Sequence, residues 1–221
     1  MGGSFVELQR VVFGDQIAAH RHDTTMPQSR PAGPSSNRGF TIFFTGLSGA
    51  GKSTIAQSLR DKLVNRTGRH VTLLDGDVVR QQLTSELGYS RADRDRNVLR
   101  VGFVAAEITK HQGIVICALI APFDDVRRAV KRMVEEGGGF ILVHLETPLE
   151  VCESRDVKGL YAKARAGLLP QFTGVTDPYE VPTNAELVID TGSCTAESAT
   201  RTIIDYLEES GYLAKTNSDP R

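Results

Sequence analysis

One stretch, Gly46-Leu47-Ser48-Gly49-Ala50-Gly51-Lys52-Ser53-Thr54, limits what this chain can fold into more than any other. It fits the pattern G-x-x-x-x-G-K-[ST] and carries an additional glycine, Gly49, inside the loop. Before it, Phe40-Thr41-Ile42-Phe43-Phe44-Thr45 is an apolar run rich in β-branched and aromatic residues, which reads as a buried strand. After it, Ile55, Ala56, Leu59, Leu63 and Val64 recur at helical spacing. Strand, glycine loop and helix in this order make a phosphate site, whereas a Gly/Ser turn that merely happens to precede a helix would need no buried strand before it. Glycines let the backbone curl so that successive N–H groups point inward, and the helix adds its positive end to the same anion. Lys52 is placed to reach the β- and γ-phosphates as a point charge, and the Ser53 hydroxyl to ligate Mg²⁺. The chain is therefore expected to bind a nucleoside triphosphate.

The alternation begun there continues. Strands are expected at Thr41–Thr45, Val71–Leu74, Ile114–Ile120, Phe140–Leu145 and Leu187–Ile189. Helices are expected at Lys52–Asn65, Val78–Glu86, Asp93–Gln112, Asp124–Glu135, just after Pro148, and at Ala196–Gly211. Five β segments separated by helices predict an open parallel sheet with right-handed crossovers, a three-layer α/β/α sandwich. With 221 residues, 40% of them hydrophobic, the chain can bury one core, assigned to residues 39–213. Residues 214–221 read as a tail. Residues 1–38 read as an arm or linker, because Phe5 to Phe13 is the only apolar patch and Asp15 to Arg38 is dense in His, Pro, Ser and Gly. A disordered tail and an arm that packs on a neighbouring subunit or joins a second catalytic domain both fit that composition.

Charge and cysteine content narrow the function. A net charge of −1 from 26 basic and 27 acidic residues argues against a broad nucleic-acid or membrane surface. Three cysteines, Cys117, Cys152 and Cys194, are an odd number without metal-like spacing, as expected of reduced thiols in a cytosolic protein. No apolar run approaches a membrane span and no signal-peptide pattern opens the chain, so a cytoplasmic location is expected.

In open parallel sheets ligands gather at the carboxyl ends of the strands. Polar residues cluster there. Asp75-Gly76-Asp77 follows the second strand; such carboxylates can hold a metal-bound water or accept a proton from an acceptor hydroxyl, and can equally cap the next helix. Arg80, Arg91, Arg94, Arg96 and Arg100, with Asn97 among them, would alone be a solvated helix face. Behind a phosphate loop they become a candidate clamp for a second anionic ligand. The basic run Arg155 to Gly167, followed by Gln171-Phe172-Thr173-Gly174, reads either as a surface helix or as a lid closing over phosphates.

Taken together, these residues resemble adenosine 5′-phosphosulfate kinase (adenylylsulfate kinase) over about Gly39–Thr191. The resemblance rests on residues 44–54, Leu-Asp-Gly-Asp (74–77), Leu-Gly-Tyr-Ser (87–90) and Thr-Pro-Leu-Glu-Val-Cys-Glu (147–153). Its narrowest parts are Lys-Gly-Leu-Tyr-Ala-Lys-Ala-Arg-Ala-Gly (158–167) and Phe-Thr-Gly (172–174), with Pro178-Tyr179-Glu180 close behind. The resemblance implies transfer of the γ-phosphoryl of MgATP to the 3′-hydroxyl of adenosine 5′-phosphosulfate. It implies that Gly46, Ser48, Gly49, Ala50, Gly51, Lys52, Ser53 and Thr54 hold ATP, with Arg155 near its purine. Arg80, Arg94, Asn97, Asp75, Ile120 and Lys158 are implied to hold the acceptor. Tyr89 and Phe172 would sandwich its adenine, Asp77 would orient the hydroxyl or the metal water, and Lys163 would approach phosphates from the lid. A homodimer, and an ATP sulfurylase fused to or associated with the chain, are the implied protein partners.

The sequence also departs from the family. Where the family reads Ile-Ser-Pro-Tyr-Arg, this chain reads Ile120-Ala121-Pro122-Phe123-Asp124; Val78 replaces Asn, Arg96 replaces Glu and Tyr89 replaces Phe. Asp124 is expected to weaken anion binding by its sign. Three readings stay open: an active kinase; a weak or silent kinase-like domain that binds the product nucleotide and regulates an ATP sulfurylase; and a kinase for another small hydroxyl substrate. Because Ala121 has no hydroxyl, no phosphoserine can form at that position. Incubating the protein with γ-labelled ATP alone should therefore leave no stable label on it, and a chemically competent phosphoprotein would contradict direct transfer.

Overall fold

The computed structural model describes residues 38–215. The expectations for the apolar patch Phe5 to Phe13, the linker before Arg38 and most of the tail lie outside these residues. Five strands, β1 (Phe40–Thr45), β2 (Val71–Asp75), β3 (Ile114–Ala118), β4 (Gly139–Leu145) and β5 (Leu187–Ile189), form one sheet in the order β2-β3-β1-β4-β5. Every pairing is parallel. The helices are α1 (Lys52–Thr67), α2 (Gly76–Gln82), α3 (Arg91–Lys110), α4 (Asp124–Glu135), α5 (Leu149–Arg155), α6 (Leu160–Arg165) and α7 (Ala196–Glu209).

The central strand shows why the sheet has a helical layer on each face. All six residues of β1 are buried, and successive side chains of a strand point to opposite faces. Phe40, Ile42 and Phe44 join Ile55, Ala56, Leu59 and Leu63 of α1 and Ala199, Ile203 and Leu207 of α7 in one core. Phe43 joins the other, with Val98, Leu99, Val101 and Ala105 of α3 and Val126, Ala129, Val130 and Val134 of α4. Thr41, on the same face as Phe43, spends its hydroxyl on Thr109 Oγ1 of α3 at 2.7 Å, so a buried polar atom is satisfied within the core. The expected three-layer α/β/α architecture is present.

The element ends differ from the sequence reading where local hydrogen bonds intervene. The apolar run predicted as a strand through Ile120 leaves the ladder after Ala118, because Ile120 O accepts from Thr45 Oγ1 at 2.7 Å and from Gly46 N at 3.4 Å. α2 begins two residues before the expected Val78, since Asp75 Oδ1 accepts from Asp77 N at 3.0 Å and caps it. It stops at Gln82, short of the expected Glu86, where the N–H groups of both Leu83 and Thr84 turn to Val79 O. Ser90 caps α3 through Asp93 N, drawing its start back to Arg91.

Strand β1 lies between β3 and β4, and the chain leaves it in one direction towards β2 and returns past it towards β4. That reversal of strand order opens a crevice at the carboxyl ends of β1 and β3. The phosphate loop and the segment 119–122 are its two lips, tied together by the Thr45–Ile120 bond.

The layer of α3 and α4 is packed without slack at Gly102, where an added Cβ would lie 2.5 Å from Val130 Cγ2. Gly102→Ala should cost about 1–3 kcal/mol by overpacking, a fall of roughly 2–12 °C in melting temperature. The loss should shrink in a Val130→Ala background, and thermal melts of the two singles and the double variant measure that coupling.

Candidate active site

A cavity of about 610 Å³ opens at this crevice. Its floor is the phosphate loop: Ser48, Gly49, Gly51, Lys52, Ser53 and Thr54 line it. The curl of the loop depends on Gly49, which has φ 78° and whose missing Cβ would stand 2.9 Å from Cys152 O of α5. A side chain is excluded there both by backbone conformation and by the approach of the neighbouring helix. Gly46 (φ 150°) leads into the loop outside the cavity lining, and Ala50 is fully buried behind it.

Lys52 is 8% exposed. Its ammonium donates to Gly46 O at 2.9 Å and Leu47 O at 2.6 Å. Burial lowers its pKa from 10.5 to about 8, against the opposing pull of Cys152 and Asp75. Ser53 Oγ donates to Asp75 Oδ2 at 2.6 Å. Asp75 thus both caps α2 and binds the phosphate-loop serine, one oxygen for each. Asp77 stands two residues on, exposed, and pairs with Lys158 from the loop between α5 and α6. That ion pair bridges the strand-end carboxylates and the lid.

The far wall carries the basic and aromatic residues. Of the five arginines in the expected clamp, Arg80 and Arg94 line the cavity, with Asn97. Arg80 donates to Gly88 O at 2.8 Å and lies 4.5 Å from the centre of the Tyr89 ring. Arg94, 6% exposed, donates to Tyr89 O at 2.8 Å and to Gln171 O, so it ties the turn before Phe172 to α3. Asn97 Oδ1 accepts from Thr84 Oγ1 at 2.7 Å, which leaves its amide N–H₂ as a donor. Tyr89 and Phe172 line the cavity, with Ile120 and Ala121 between the sheet and the clamp. The other three arginines are engaged elsewhere: Arg91 over the Phe123 ring at 4.1 Å, Arg96 with Asp93 at 3.5 Å, and Arg100 with Glu86. Helical spacing turns Arg94, Asn97 and Val98 of α3 to one side, and these are the ones in the lining.

The basic run Arg155 to Gly167 takes in the end of one short helix, α5, and the whole of a second, α6. Asp156 caps the second, its Oδ1 and Oδ2 each accepting at 3.0 Å from Tyr161 N and Ala162 N. Arg155 donates to Gly49 O at 3.2 Å and Thr191 O at 2.6 Å, fixing α5 against the phosphate loop. Lys158 lines the cavity. Lys163 does not: Tyr161 and Ala164 take the buried side of α6, which leaves Lys163 exposed on the other.

The departures sort in the same way. Ala121 lines the cavity, while Val78, Arg96 and Asp124 lie outside its lining. The expectation that Asp124 opposes the ligand is corrected by its position at the first turn of α4, where Arg127 and Arg128 hold its two oxygens at 3.3 and 2.5 Å. Ala121 has φ 42° and its carbonyl accepts from the buried Arg127 at 2.7 Å, so this strand-end turn is held from beneath.

Sequence reasoning missed several lining residues. Thr191, whose hydroxyl donates to Ala50 O at 2.9 Å, and Cys194 follow β5, a strand far from the motifs. Tyr161 stood within a recognised run, but nothing local showed which of its residues turns inward.

Known proteins resemble this chain in sequence and in fold. The family model for adenylylsulphate kinase matches residues 38–190. The adenylyl-sulfate kinase of Halothermothrix orenii is 48% identical over 176 residues, 80% of this chain and 93% of that protein. A sulfate adenylyltransferase of Emericella nidulans is 50% identical over 183 residues, 82% of this chain but 32% of that protein; the chain spans about a third of such relatives. The structure of Mycobacterium tuberculosis APS kinase in complex with AMPPNP and APS superposes with a TM-score of 0.74 at 40% identity, covering 77% of this chain and 98% of that one.

The buried Lys52 makes two opposite pH dependences. Its folded pKa of about 8 lies below the 10.5 of an unperturbed lysine, so the unfolded chain holds the proton longer and its contribution to ligand-free stability rises with pH between those values. A bound triphosphate reverses this by favouring the charged ammonium. Affinity for an ATP analogue should therefore be flat near pH 7 and fall above about pH 8, by up to about tenfold per pH unit. Lys52→Ala should bind weakly with no such slope; titrations between pH 7 and 9.5 measure both.

Proposed function

We propose, since the chain belongs to the adenylylsulfate kinase family, that it transfers the γ-phosphoryl of ATP to the 3′-hydroxyl of adenosine 5′-phosphosulfate. The products are 3′-phosphoadenosine 5′-phosphosulfate and ADP. The observation that carries this reading is that a single cavity holds both the phosphate loop and the Arg80, Arg94, Asn97, Tyr89 and Phe172 wall.

In this reading the backbone N–H groups of the phosphate loop and Lys52 neutralise charge on the β- and γ-phosphates. Phosphoryl transfer needs mainly such positioning and electrostatic stabilisation. Lys52 exchanges its loop carbonyls for phosphate oxygens. Arg80 and Arg94 bind the phosphosulfate end of the acceptor through planar forks, and Tyr89 and Phe172 enclose its adenine. Asp77 orients the 3′-hydroxyl and accepts its proton, and Lys158, now paired with Asp77, moves to phosphate. Arg155 flanks the purine of ATP. Ser53 Oγ and Asp75 are hard oxygen donors 2.6 Å apart, the pair that would hold Mg²⁺. When bound, the ion would neutralise phosphate charge.

The silent, regulatory alternative would need damage within the cavity. Its phosphate loop is intact, and of the departures only Ala121 and the ring change at Tyr89 reach the lining, which favours the active reading. A homodimer is proposed on the family resemblance. Association with an ATP sulfurylase is supported by the third of the sulfate adenylyltransferase that this chain matches.

ADP release from MgATP should depend on added adenosine 5′-phosphosulfate, and Lys52→Ala should cut it by orders of magnitude while the protein stays folded. Phe172→Ala should lose about 1–3 kcal/mol of acceptor binding, roughly tenfold or more, with ATP-analogue binding changed much less. ADP release indifferent to the acceptor would overturn the assignment. Equal weakening of both nucleotides with a large fall in melting temperature would reduce Phe172 to a packing residue.

A further inference from the structure

We infer that Tyr161 is a positioning residue that couples the phosphate loop to the aromatic ring over the second nucleotide, an inference that rests on the two-nucleotide reading above. Tyr161 is 2% exposed and packs in the core cluster beneath α1. Its two ends do different things. The hydroxyl donates to Ser48 O at 2.9 Å. The ring meets Phe172 edge-to-face, with centroids 5.0 Å apart and planes at 79°.

The first contact acts through peptide geometry. In a trans peptide the carbonyl of Ser48 and the N–H of Gly49 point in opposite directions. A donor that holds Ser48 O therefore also fixes the direction of the Gly49 N–H. Gly49 has φ 78° and no side chain of its own to restrict that peptide. Burial raises the phenol pKa above its ordinary value, so the hydroxyl remains a neutral donor across the working range.

The second contact acts through packing. Phe172 is half-buried and follows Gln171, a left-handed residue with φ 61° whose carbonyl Arg94 holds. The ring of Tyr161 is the surface that sets how far the Phe172 ring tilts towards the cavity. The backbone of Tyr161 is itself fixed, because its N–H donates to Asp156 at 3.0 Å. One rigid side chain thus holds the Ser48–Gly49 peptide and the Phe172 ring together, so a ligand that orders either one lowers the ordering cost for the other. The consequence is a positive coupling between ATP and adenosine 5′-phosphosulfate, equal in both directions by linkage.

A tyrosine that only fills the core would be replaced by phenylalanine without functional consequence, so Tyr161→Phe separates the two roles. Calorimetric titration would measure the affinity of the β,γ-imido analogue of ATP, with Mg²⁺, and of adenosine 5′-phosphosulfate. Each is measured alone and with the other saturating, in parallel with acceptor-dependent ADP release by the wild type. The wild type is expected to bind each nucleotide about fivefold or more tightly in the presence of the other. Tyr161→Phe should bring that factor close to one while its melting temperature stays near that of the wild type. Tyr161→Leu, which also removes the edge contact, should in addition weaken the acceptor in the absence of ATP analogue. A Tyr161→Phe protein with the wild-type coupling factor, or a wild type with none, would overturn the inference even if ADP release still depended on the acceptor. Loss of that dependence in the wild type would overturn the reaction assignment and this inference together.

Discussion

Lys52 buried against its own loop is the interaction on which the rest of this structure depends. A charged ammonium is costly to remove from water unless its protons are satisfied, and here Gly46 O and Leu47 O accept from it while its pKa falls to about 8. The loop can curl around the lysine because Gly49 and Gly51 adopt positive φ. In the ligand-free fold the lysine therefore organises the same backbone that is built to receive an anion. Phosphate oxygens can replace the carbonyls without the loop having to be assembled anew.

The sheet supplies the second requirement, a rigid wall close to that loop. Parallel strands β1 and β3 end side by side, and Thr45 Oγ1 bridges them to Ile120 O. Arg127, 1% exposed, holds Ala121 O from below and Glu180 O beyond it, both at 2.7 Å. Tyr179 completes this layer through Thr45 at 2.9 Å and by stacking on His144. These are packing and hydrogen-bond roles, yet they hold the strand-end segment 119–122 that lines the cavity. Buried polar networks of this kind rigidify a site because every broken member leaves another unsatisfied.

The basic segment around α6 touches both sides of the cavity. Lys158 with Asp77 is an exposed ion pair, worth little by itself. Arg155 and Tyr161, which also line the cavity, donate to carbonyls of the phosphate loop at 3.2 and 2.9 Å. This segment is thus anchored to the phosphate loop by two hydrogen bonds to backbone carbonyls and reaches Asp77 through one exposed ion pair.

The fold class and the phosphate site could be read from local pattern, because each is a short-range matter. An apolar run, a glycine loop and a helical repeat follow one another in the chain, and their geometry needs no distant partner. The sheet's helical layers followed from strands long and apolar enough to be covered on both faces. What local pattern could not decide was which way side chains turn on short or charged elements. Five arginines looked alike, and only the packing of α2 and α3 selected Arg80 and Arg94 for the cavity. Lys163 and Tyr161 stand two residues apart on a single-turn helix, and burial of the tyrosine turned the lysine to solvent. Asp124 carried the wrong sign for the site until Arg127 and Arg128 were seen to hold it on α4. By itself the sequence determined the strand–loop–helix that receives a triphosphate. The tertiary structure alone decided which charges face the ligand, because that depends on contacts between residues far apart in the chain.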